Sequence, residues 1–152
     1  EGKPTSYLDL RPEPIPYEEN AAPVLKALFA WVAANATEQQ FPEAFKMESS
    51  GVAFVDWTPE QKGEMQKLLA ALGPAWTLLE EANAKPGCQF DLDYSDFNSV
   101  LLPEVAGFQR VSKPLWHRAR MSSETPEGMP DALQAVADCL KLSGHLDSRT
   151  LV

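Results

Sequence analysis

Apolar residues recur every three or four positions in four separate stretches of this chain, and this spacing constrains the fold more than any other feature. In the second stretch, which has the clearest boundaries, they are Met65, Leu68, Leu69, Leu72, Trp76 and Leu79. Thr58 and Gln61 form a capping-box pattern around Pro59, a residue type favoured at the first helical position. The spacing predicts a helix from Pro59 to near Lys85, kinked at Gly73-Pro74 because proline lacks a donor for the helical ladder.

The other three stretches predict helices of the same amphipathic kind. Asn20 is a candidate N-cap for the first helix, which has Pro23 in its first turn. A third region should be bent or split by Pro114, and a fourth helix is predicted from Pro130 to Gly144. The predicted buried residues of these three helices are Val24, Leu25, Leu28, Phe29 and Val32; Leu101, Val105, Phe108, Val111, Leu115 and Ala119; and Leu133, Val136, Ala137 and Leu140.

The remaining segments complete the predicted architecture. The stretch from Thr37 to Trp57 has no sustained period and is expected to be a long packed connection, with a short strand at 52–55 as the alternative. The fold class is therefore all-α, a single domain of antiparallel helical hairpins over residues 17–152 with a long irregular connection after the first helix. Residues 1–16 are proline-rich and are expected to form an extended arm. A helical pattern that starts at Asp147 or Ser148 is cut off at Val152, so the natural protein is expected to continue.

Composition limits the classes of function. The chain has 152 residues and a net charge of −9, whereas binding to nucleic acid depends on Lys and Arg that release counterions from phosphates. We therefore expect no nucleic-acid partner. The longest apolar stretch, residues 21–36, is shorter than the roughly 20 apolar residues that span a bilayer, so no membrane span is predicted within this chain.

No motif for a metal, a cofactor or a catalytic residue is recognised. Asp91, Asp93 and Ser95 have the spacing of the first three ligands of a calcium loop, but Asp96 and Leu102 occupy the positions of its glycine and its final glutamate. A solvated loop that caps the third helix is the favoured interpretation, and a weak surface calcium site is the alternative. Neither His117 nor His145 has a second ligand at helical spacing.

Basic residues are concentrated in the third helical region of an otherwise acidic chain. Arg110, Lys113, His117, Arg118 and Arg120 lie there, and no acidic residue lies between Val105 and Arg120. This basic stripe is a candidate binding site for an anionic ligand or an acidic partner segment. The alternative is that the cations pair with carboxylates of the same domain.

Two cysteines and four tryptophans allow two interpretations each. Cys88 and Cys139 are expected to be free thiols, with a single bridge between them as the alternative. The tryptophans are expected to pack at element junctions of the core rather than to form a stacking platform for a ligand. They are Trp31, Trp57, Trp76 and Trp116.

Two resemblances bear on the fold. Gly128, Ala132, Val136 and Cys139 resemble the second half of a tetratricopeptide (TPR) repeat, although no 34-residue period runs through the chain. The E-E-N-A-A-P segment at 18–23, C-Q-F-D-L-D-Y at 88–94 and L-L-P at 101–103 are similar to a planctomycete family of helical, TPR-like exported proteins. That resemblance implies an exported or membrane-tethered helical protein whose relatives are longer, and it implies no activity.

The favoured function is a helical interaction or scaffold domain of an extracytoplasmic protein, which binds a protein or peptide between helical hairpins. The alternative is a hydrolase in which a carboxylate from Asp91, Asp93 or Glu19 meets His117 in a cleft. A third hypothesis is that the chain is half of a larger domain. The oligomeric state stays open at this point.

Overall fold

The computed structural model describes residues 13–49, 53–91 and 103–147, and these residues contain helices and turns but no strand. The prediction of an all-α fold is confirmed. The helices are α1 (Ala22–Asn35), α2 (Pro42–Ser49), α3 (Pro59–Ala71), α4 (Gly73–Asn83), α5 (Pro103–Ser122) and α6 (Met129–Asp147). Short 3-10 turns lie at Tyr17–Glu19 and Phe54–Asp56. None of the described helices is long and apolar enough to cross a bilayer.

Helix α1 lies at the centre of the packing because one of its faces is apolar over three turns. It contacts α4 and α5, and α6 packs on α5 and, over a smaller area, on α4. Helix α2 packs on α3, which in turn contacts α4 and α5. The largest fully buried side chains come from five of the helices, from the α3–α4 junction and from the segment after α4: Leu25, Leu28, Met65, Leu68, Leu72, Leu79, Cys88, Val111, Leu115 and Leu142. The predicted core of the first three regions is therefore largely confirmed, with Val105 as an exposed exception.

Local signals fix the start of α3 but not the continuity of the helix after it. The backbone N–H of Gln61 donates to Oγ1 of Thr58 over 3.3 Å, and the N–H of Thr58 donates to Oε1 of Gln61 over 2.8 Å, so the capping box is present. The prediction of one kinked helix is wrong. Leu72 ends α3 and precedes α4, which begins at Gly73 with Pro74 in its first turn.

The connection after α1 is more ordered than predicted. Residues Pro42–Ser49 form α2, with Ala44 and Met47 buried in the common core. The possible strand at 52–55 is also wrong where the structure describes it, because Phe54 begins a 3-10 turn. A helix of eight residues shows too few turns for its period to be recognised in the sequence.

Helices α5 and α6 also extend past their predicted limits. Helix α5 is a single element with Pro114 inside it, and α6 continues through Gly144 to Asp147. The segment after Asp147 in which a further helix was predicted, residues 92–102 with the predicted buried residue Leu101, and most of the proline-rich arm lie outside the described residues.

Helix α6 buries a different face from the one predicted. Leu133, Val136 and Leu140 are exposed, while Asp138 and His145 are buried. The buried carboxylate is satisfied by donors from both helices: Nδ2 of Asn83 on α4 donates to Oδ1 of Asp138 over 3.3 Å, and Nε2 of Gln134, one turn earlier on α6, donates to it over 3.0 Å. Small residues, Ala132 and Ala135, and the apolar Leu142 fill the rest of the buried face.

The start of α1 is joined to the segment after α4. Oδ1 of Asn20 accepts from the backbone N–H of Ala22 over 3.0 Å and from that of Gln89 over 2.8 Å. Nδ2 of Asn20 donates to the carbonyl of Gln89 over 2.9 Å. Asn20 therefore caps the first turn of α1, one residue ahead of the structural N-cap Ala21, and ties it to a strand-like pairing with Gly87.

Candidate functional site

The predicted basic stripe on α5 divides into three different environments. Arg110 and Lys113 are exposed and line a groove, His117 is buried against aromatic rings, and Arg118 is bound to a carboxylate of α6. Helical spacing places Arg118 about 100° round α5 from His117, so that it faces α6. Positions 110, 113 and 117 share one side of α5, and His117 differs from the other two because it lies further along the helix, beside Trp57. A candidate ligand site is therefore present at one end of the stripe.

The groove is formed by the C-terminal half of α1, by α2 and by the middle of α5, and its volume is about 460 Å³. We call it the α1–α5 groove. Its lining residues are Val32, Ala33, Ala36, Thr37, Phe45, Leu68, Ala106, Gln109, Arg110, Lys113 and Pro114.

The α1–α5 groove is apolar on one side and cationic on the other. Helix α1 contributes small aliphatic side chains and α2 contributes the ring of Phe45, while α5 contributes Arg110 and Lys113. No carboxylate is among the lining residues, and Arg110 makes no ion pair within the described ranges. Because Pro114 has no N–H, the carbonyl of Arg110 lacks the helical donor it would otherwise have, and both residues line the groove.

His117 belongs to an aromatic cluster at the opposite end of the stripe. Its ring centroid is 5.3 Å from that of Trp57 and 4.8 Å from that of Trp116. The guanidinium of Arg120 lies over the rings of Trp116 and Phe54, at 4.5 and 4.7 Å from their centroids. The aromatic faces attract the guanidinium of Arg120 electrostatically. The ring contacts of His117 give that residue a packing role.

Arg118 is paired with a carboxylate and an aromatic ring of the same domain. Its Nε donates to both carboxylate oxygens of Asp131, over 3.1 and 3.2 Å, and its guanidinium lies 5.5 Å from the centroid of Trp76. Oγ of Ser122 donates to the same carboxylate over 2.6 Å. The hydrogen bond from Arg118 holds the pKa of Asp131 below its ordinary value. A second cleft of about 560 Å³ lies beside this group, but its cation is already neutralised.

The residues of the predicted hydrolase site are not arranged around either groove. Glu19 lies in the turn before α1, where its carbonyl accepts from the N–H of Gly87 over 3.1 Å. Neither groove is lined by Glu19, Asp91 or His117, and Asp93 lies outside the described residues. Over the described ranges, no three His, Cys, Asp or Glu side chains are grouped so as to hold a metal ion.

Two polar residues, Asp138 and His145, are buried between α4 and α6. Asp138 and His145 lie on the inward face of α6, and His145 is hydrogen-bonded to the carbonyl of Ala82. Burial lowers the pKa of His145 in spite of that hydrogen bond. Nε2 of His145 is buried without a hydrogen-bond partner in the described part of the chain. This group is closed to solvent, so we assign it to the packing of α6.

The cysteines and most of the tryptophans have structural environments. Cys88 and Cys139 are free thiols, and burial raises the pKa of Cys88 to about 12, so that this thiol is a poor nucleophile. Trp57 is buried, and Trp31 and Trp76 pack against the core. Trp116 is 51% exposed and is the exception to the expected burial of the tryptophans.

Comparison of the chain with known protein families, with curated proteins and with solved structures finds no match. The α1–α5 groove is therefore interpreted from its own geometry. The sequence pattern identifies Arg110 and Lys113 as candidate binding residues, but it does not identify Phe45 or the α1 residues that line the groove. The signal for Phe45 was Pro42 followed by Glu43, a pattern typical of a helix start.

Proposed function

We propose that this chain is a peptide-binding domain, and that the α1–α5 groove holds a segment of a partner protein in which apolar side chains adjoin a carboxylate. One observation carries the proposal. A chain of net charge −9 has a groove whose lining contains two exposed cations, Arg110 and Lys113, and no carboxylate.

The two sides of the groove divide the recognition between them. The aliphatic side chains of α1 and the ring of Phe45 offer surface that is stabilised by excluding water, and this favours leucine-like side chains in the ligand. Arg110 and Lys113 are three positions apart on α5, so their charged groups can approach the same carboxylate. An arginine also offers two parallel N–H donors to a carboxylate, which adds geometric specificity.

The cleft beside Arg118 differs from the α1–α5 groove in that its cation is already paired, and this difference supports the α1–α5 groove as the binding site. There Arg118 is bound by Asp131 and stacked against Trp76, so a ligand carboxylate would have to displace an existing one. Arg110 makes no such pair within the described ranges. A ligand carboxylate that binds Arg110 therefore gains a charge-assisted contact without displacing an ion pair of that arginine.

The test is fluorescence anisotropy with short labelled peptides. The first peptide alternates leucine with glutamate, the second has glutamine for each glutamate, and the third has serine for each leucine. A charge-assisted hydrogen bond contributes about 1.5–3 kcal/mol, so the glutamate peptide should bind about tenfold or more tightly than the glutamine peptide. The serine peptide should also bind more weakly, and added salt should reduce the advantage of glutamate.

Variants of the protein connect that binding to the groove. Arg110→Ala should weaken binding of the glutamate peptide severalfold and reduce its preference over the glutamine peptide, while Lys113 keeps part of that preference. Lys67→Gln removes a positive charge from an exposed pair with Glu64 on α3 and is the matched control. Equal binding of all three peptides, or equal loss in both variants, contradicts the proposal. If Arg110 serves only to neutralise the carbonyl end of α1, Arg110→Ala lowers the melting temperature and leaves peptide binding unchanged.

A further inference from the structure

Pro114 leaves one backbone carbonyl of α5 without its helical donor. In an α-helix the carbonyl of each residue accepts from the N–H four residues further on, and for Arg110 that residue is Pro114, which has no N–H. The hydroxyl of Ser112 donates to the neighbouring carbonyl, that of Gln109, over 3.3 Å, and no side chain in the described ranges donates to that of Arg110. A backbone acceptor of α5 is therefore open to a donor from outside the helix.

This carbonyl belongs to the side of α5 that forms the α1–α5 groove. A helical carbonyl points along the axis toward the residue four further on, so that of Arg110 points toward Pro114, and both residues line the groove. Pro114 is buried, whereas Arg110 is exposed. Lys113 also lines the groove and lies one turn after Arg110, beside the same carbonyl. One acceptor and two cations therefore share a short length of helix surface.

The other side of the groove is apolar. Helix α1 contributes Val32, Ala33 and Ala36, and α2 contributes the ring of Phe45. A ligand that contacts every part of the groove needs an N–H donor, a carboxylate and an apolar side chain close to one another. The last residue of a peptide carries all three on a single Cα when its side chain is aliphatic. A residue inside a chain has a neutral amide in place of that carboxylate.

We infer that the α1–α5 groove binds the C-terminal end of a partner chain whose last residue is aliphatic, such as leucine, an assignment that rests on the proposed function. The last N–H of the ligand donates to the carbonyl of Arg110. The terminal carboxylate binds the guanidinium of Arg110 and the ammonium of Lys113, and the aliphatic side chain packs against α1 and Phe45. A free amino acid fits less well, because its own ammonium group would lie beside the two cations.

Fluorescence anisotropy with the whole chain tests this assignment. The probe is a short labelled peptide of glycine and serine that ends in leucine with a free carboxylate. The same peptide with a C-terminal amide should bind about tenfold more weakly, because it loses a charge-assisted contact. The net charge of −9 favours the opposite order, so an advantage of the free acid must come from local groups. A peptide that ends in serine should also bind more weakly, because it lacks the apolar contact.

Methylation of the last peptide nitrogen, combined with Pro114→Ala, tests the hydrogen bond to the carbonyl of Arg110. The methyl group removes the N–H, so the wild type should bind the methylated peptide severalfold more weakly. Pro114→Ala supplies an N–H that pairs with this carbonyl inside the helix. The variant should therefore bind the original peptide severalfold more weakly than the wild type does, and methylation should have no further effect on it. If Pro114→Ala only changed the shape of the groove, methylation would weaken binding by the same factor in both proteins.

Pro59→Ala is the matched control variant. Pro59 begins α3, where a backbone N–H has no helical acceptor, so this substitution should leave the effect of methylation as it is in the wild type. Melting temperatures show whether each variant folds. The comparison of free acid with amide uses the wild type alone and does not depend on the folding of Pro114→Ala.

Equal binding of the free acid and the amide overturns the C-terminal assignment, as does a folded Pro114→Ala variant that keeps the full effect of methylation. The proposed function is judged separately, by the peptide that alternates leucine with glutamate. If that peptide binds through Arg110 while the free acid has no advantage over the amide, the groove binds an internal segment instead. If no peptide binds, the proposed function fails together with the assignment.

Discussion

The backbone of α5 at Gly107 lies directly against the ring of Phe29 on α1, with no space for a methyl group between them. The same ring packs edge-to-face on Phe108, with centroids 5.1 Å apart. Gly107 is therefore a position at which the absence of a side chain lets α5 pack closely against Phe29 of α1.

We expect Gly107→Ala to destabilise the protein, although alanine is the better helix former. The added methyl group would force the Phe29 ring away from Phe108, at a cost of about 1–3 kcal/mol for overpacking, while alanine returns up to about 1 kcal/mol of helix propensity. Gly63→Ala on α3 is the control, since a methyl group there meets nothing within 4 Å. Urea unfolding should show Gly63→Ala more stable than the wild type. A Gly107→Ala variant that is also more stable contradicts the close approach.

The orientation of α6 is tested by two leucines on the same helix. Leu142 is buried and Leu140 is exposed, so Leu142→Ala should lower the free energy of unfolding by about 2–5 kcal/mol. Leu140→Ala should change it by less than about 0.5 kcal/mol. Denaturation curves with the reverse order of stability would mean that α6 buries the face that carries Leu140 instead.

The pair of Arg118 and Asp131 closes the α5–α6 hairpin near its turn. We expect Asp131→Asn to cost about 0.5–1.5 kcal/mol at pH 7, a modest value because the carboxylate is 42% exposed and screened by solvent. The pKa of Asp131 is lowered by folding, so its contribution is present above the ordinary carboxyl pKa of about 3.9 and is lost as the pH falls through the lower folded value.

Urea titrations at pH 7 and pH 3 measure this contribution. The difference between the wild type and Asp131→Asn should shrink at the lower pH. Glu43→Gln, which removes an exposed pair with Lys46 on α2, should have almost no effect at either pH. An equal effect of the two substitutions would contradict a special role for Asp131.

His145 should make the protein less stable in mild acid. Burial lowers its pKa in the folded state, so the unfolded chain binds the proton more readily. The contribution of the neutral ring is therefore present above the unfolded pKa of about 6.5 and is lost as the pH falls from there through the lower folded pKa. Melting temperatures recorded from pH 7.5 to pH 5 should fall more steeply for the wild type than for His145→Gln. Parallel pH profiles would show that His145 does not couple folding to protonation.

The sequence predicts those parts of this fold that depend on neighbouring residues. The capping box of Thr58 and Gln61 needs only four positions. The spacing of apolar residues in α1 and α3 is enough to predict which face of each helix is buried. The buried face of α6 depends instead on Asn83, which lies 55 residues before Asp138 in the chain. Gln134 supplies one local donor to that carboxylate, but nothing near α6 in the sequence indicates that Asn83 supplies a second, or that Leu142 is buried while Leu133 and Leu140 are exposed.

The candidate site shows the same division. Arg110 and Lys113 were recognised because cations are conspicuous in an acidic helical segment. The opposite wall, from Val32 to Phe45, faces them only because α1 and α2 pack where they do, and apolar residues at helical spacing are ordinarily assigned to the core. His117 and Arg118 were assigned to the same stripe because distance along a helix does not reveal which neighbour each side chain meets.

The hydrogen bonds of Asn20 to Gln89 have a consequence for how the chain comes apart. They join two points 69 residues apart, and together with the backbone hydrogen bonds of Gly87 to Glu19 and Ala21 they close a loop of chain that contains α1 to α4. The hairpin of α5 and α6 follows this loop in the sequence. Amide hydrogen exchange at Ala22 and Gln89 should therefore be slow and similar in rate, because both protons become accessible when this closure opens as one unit.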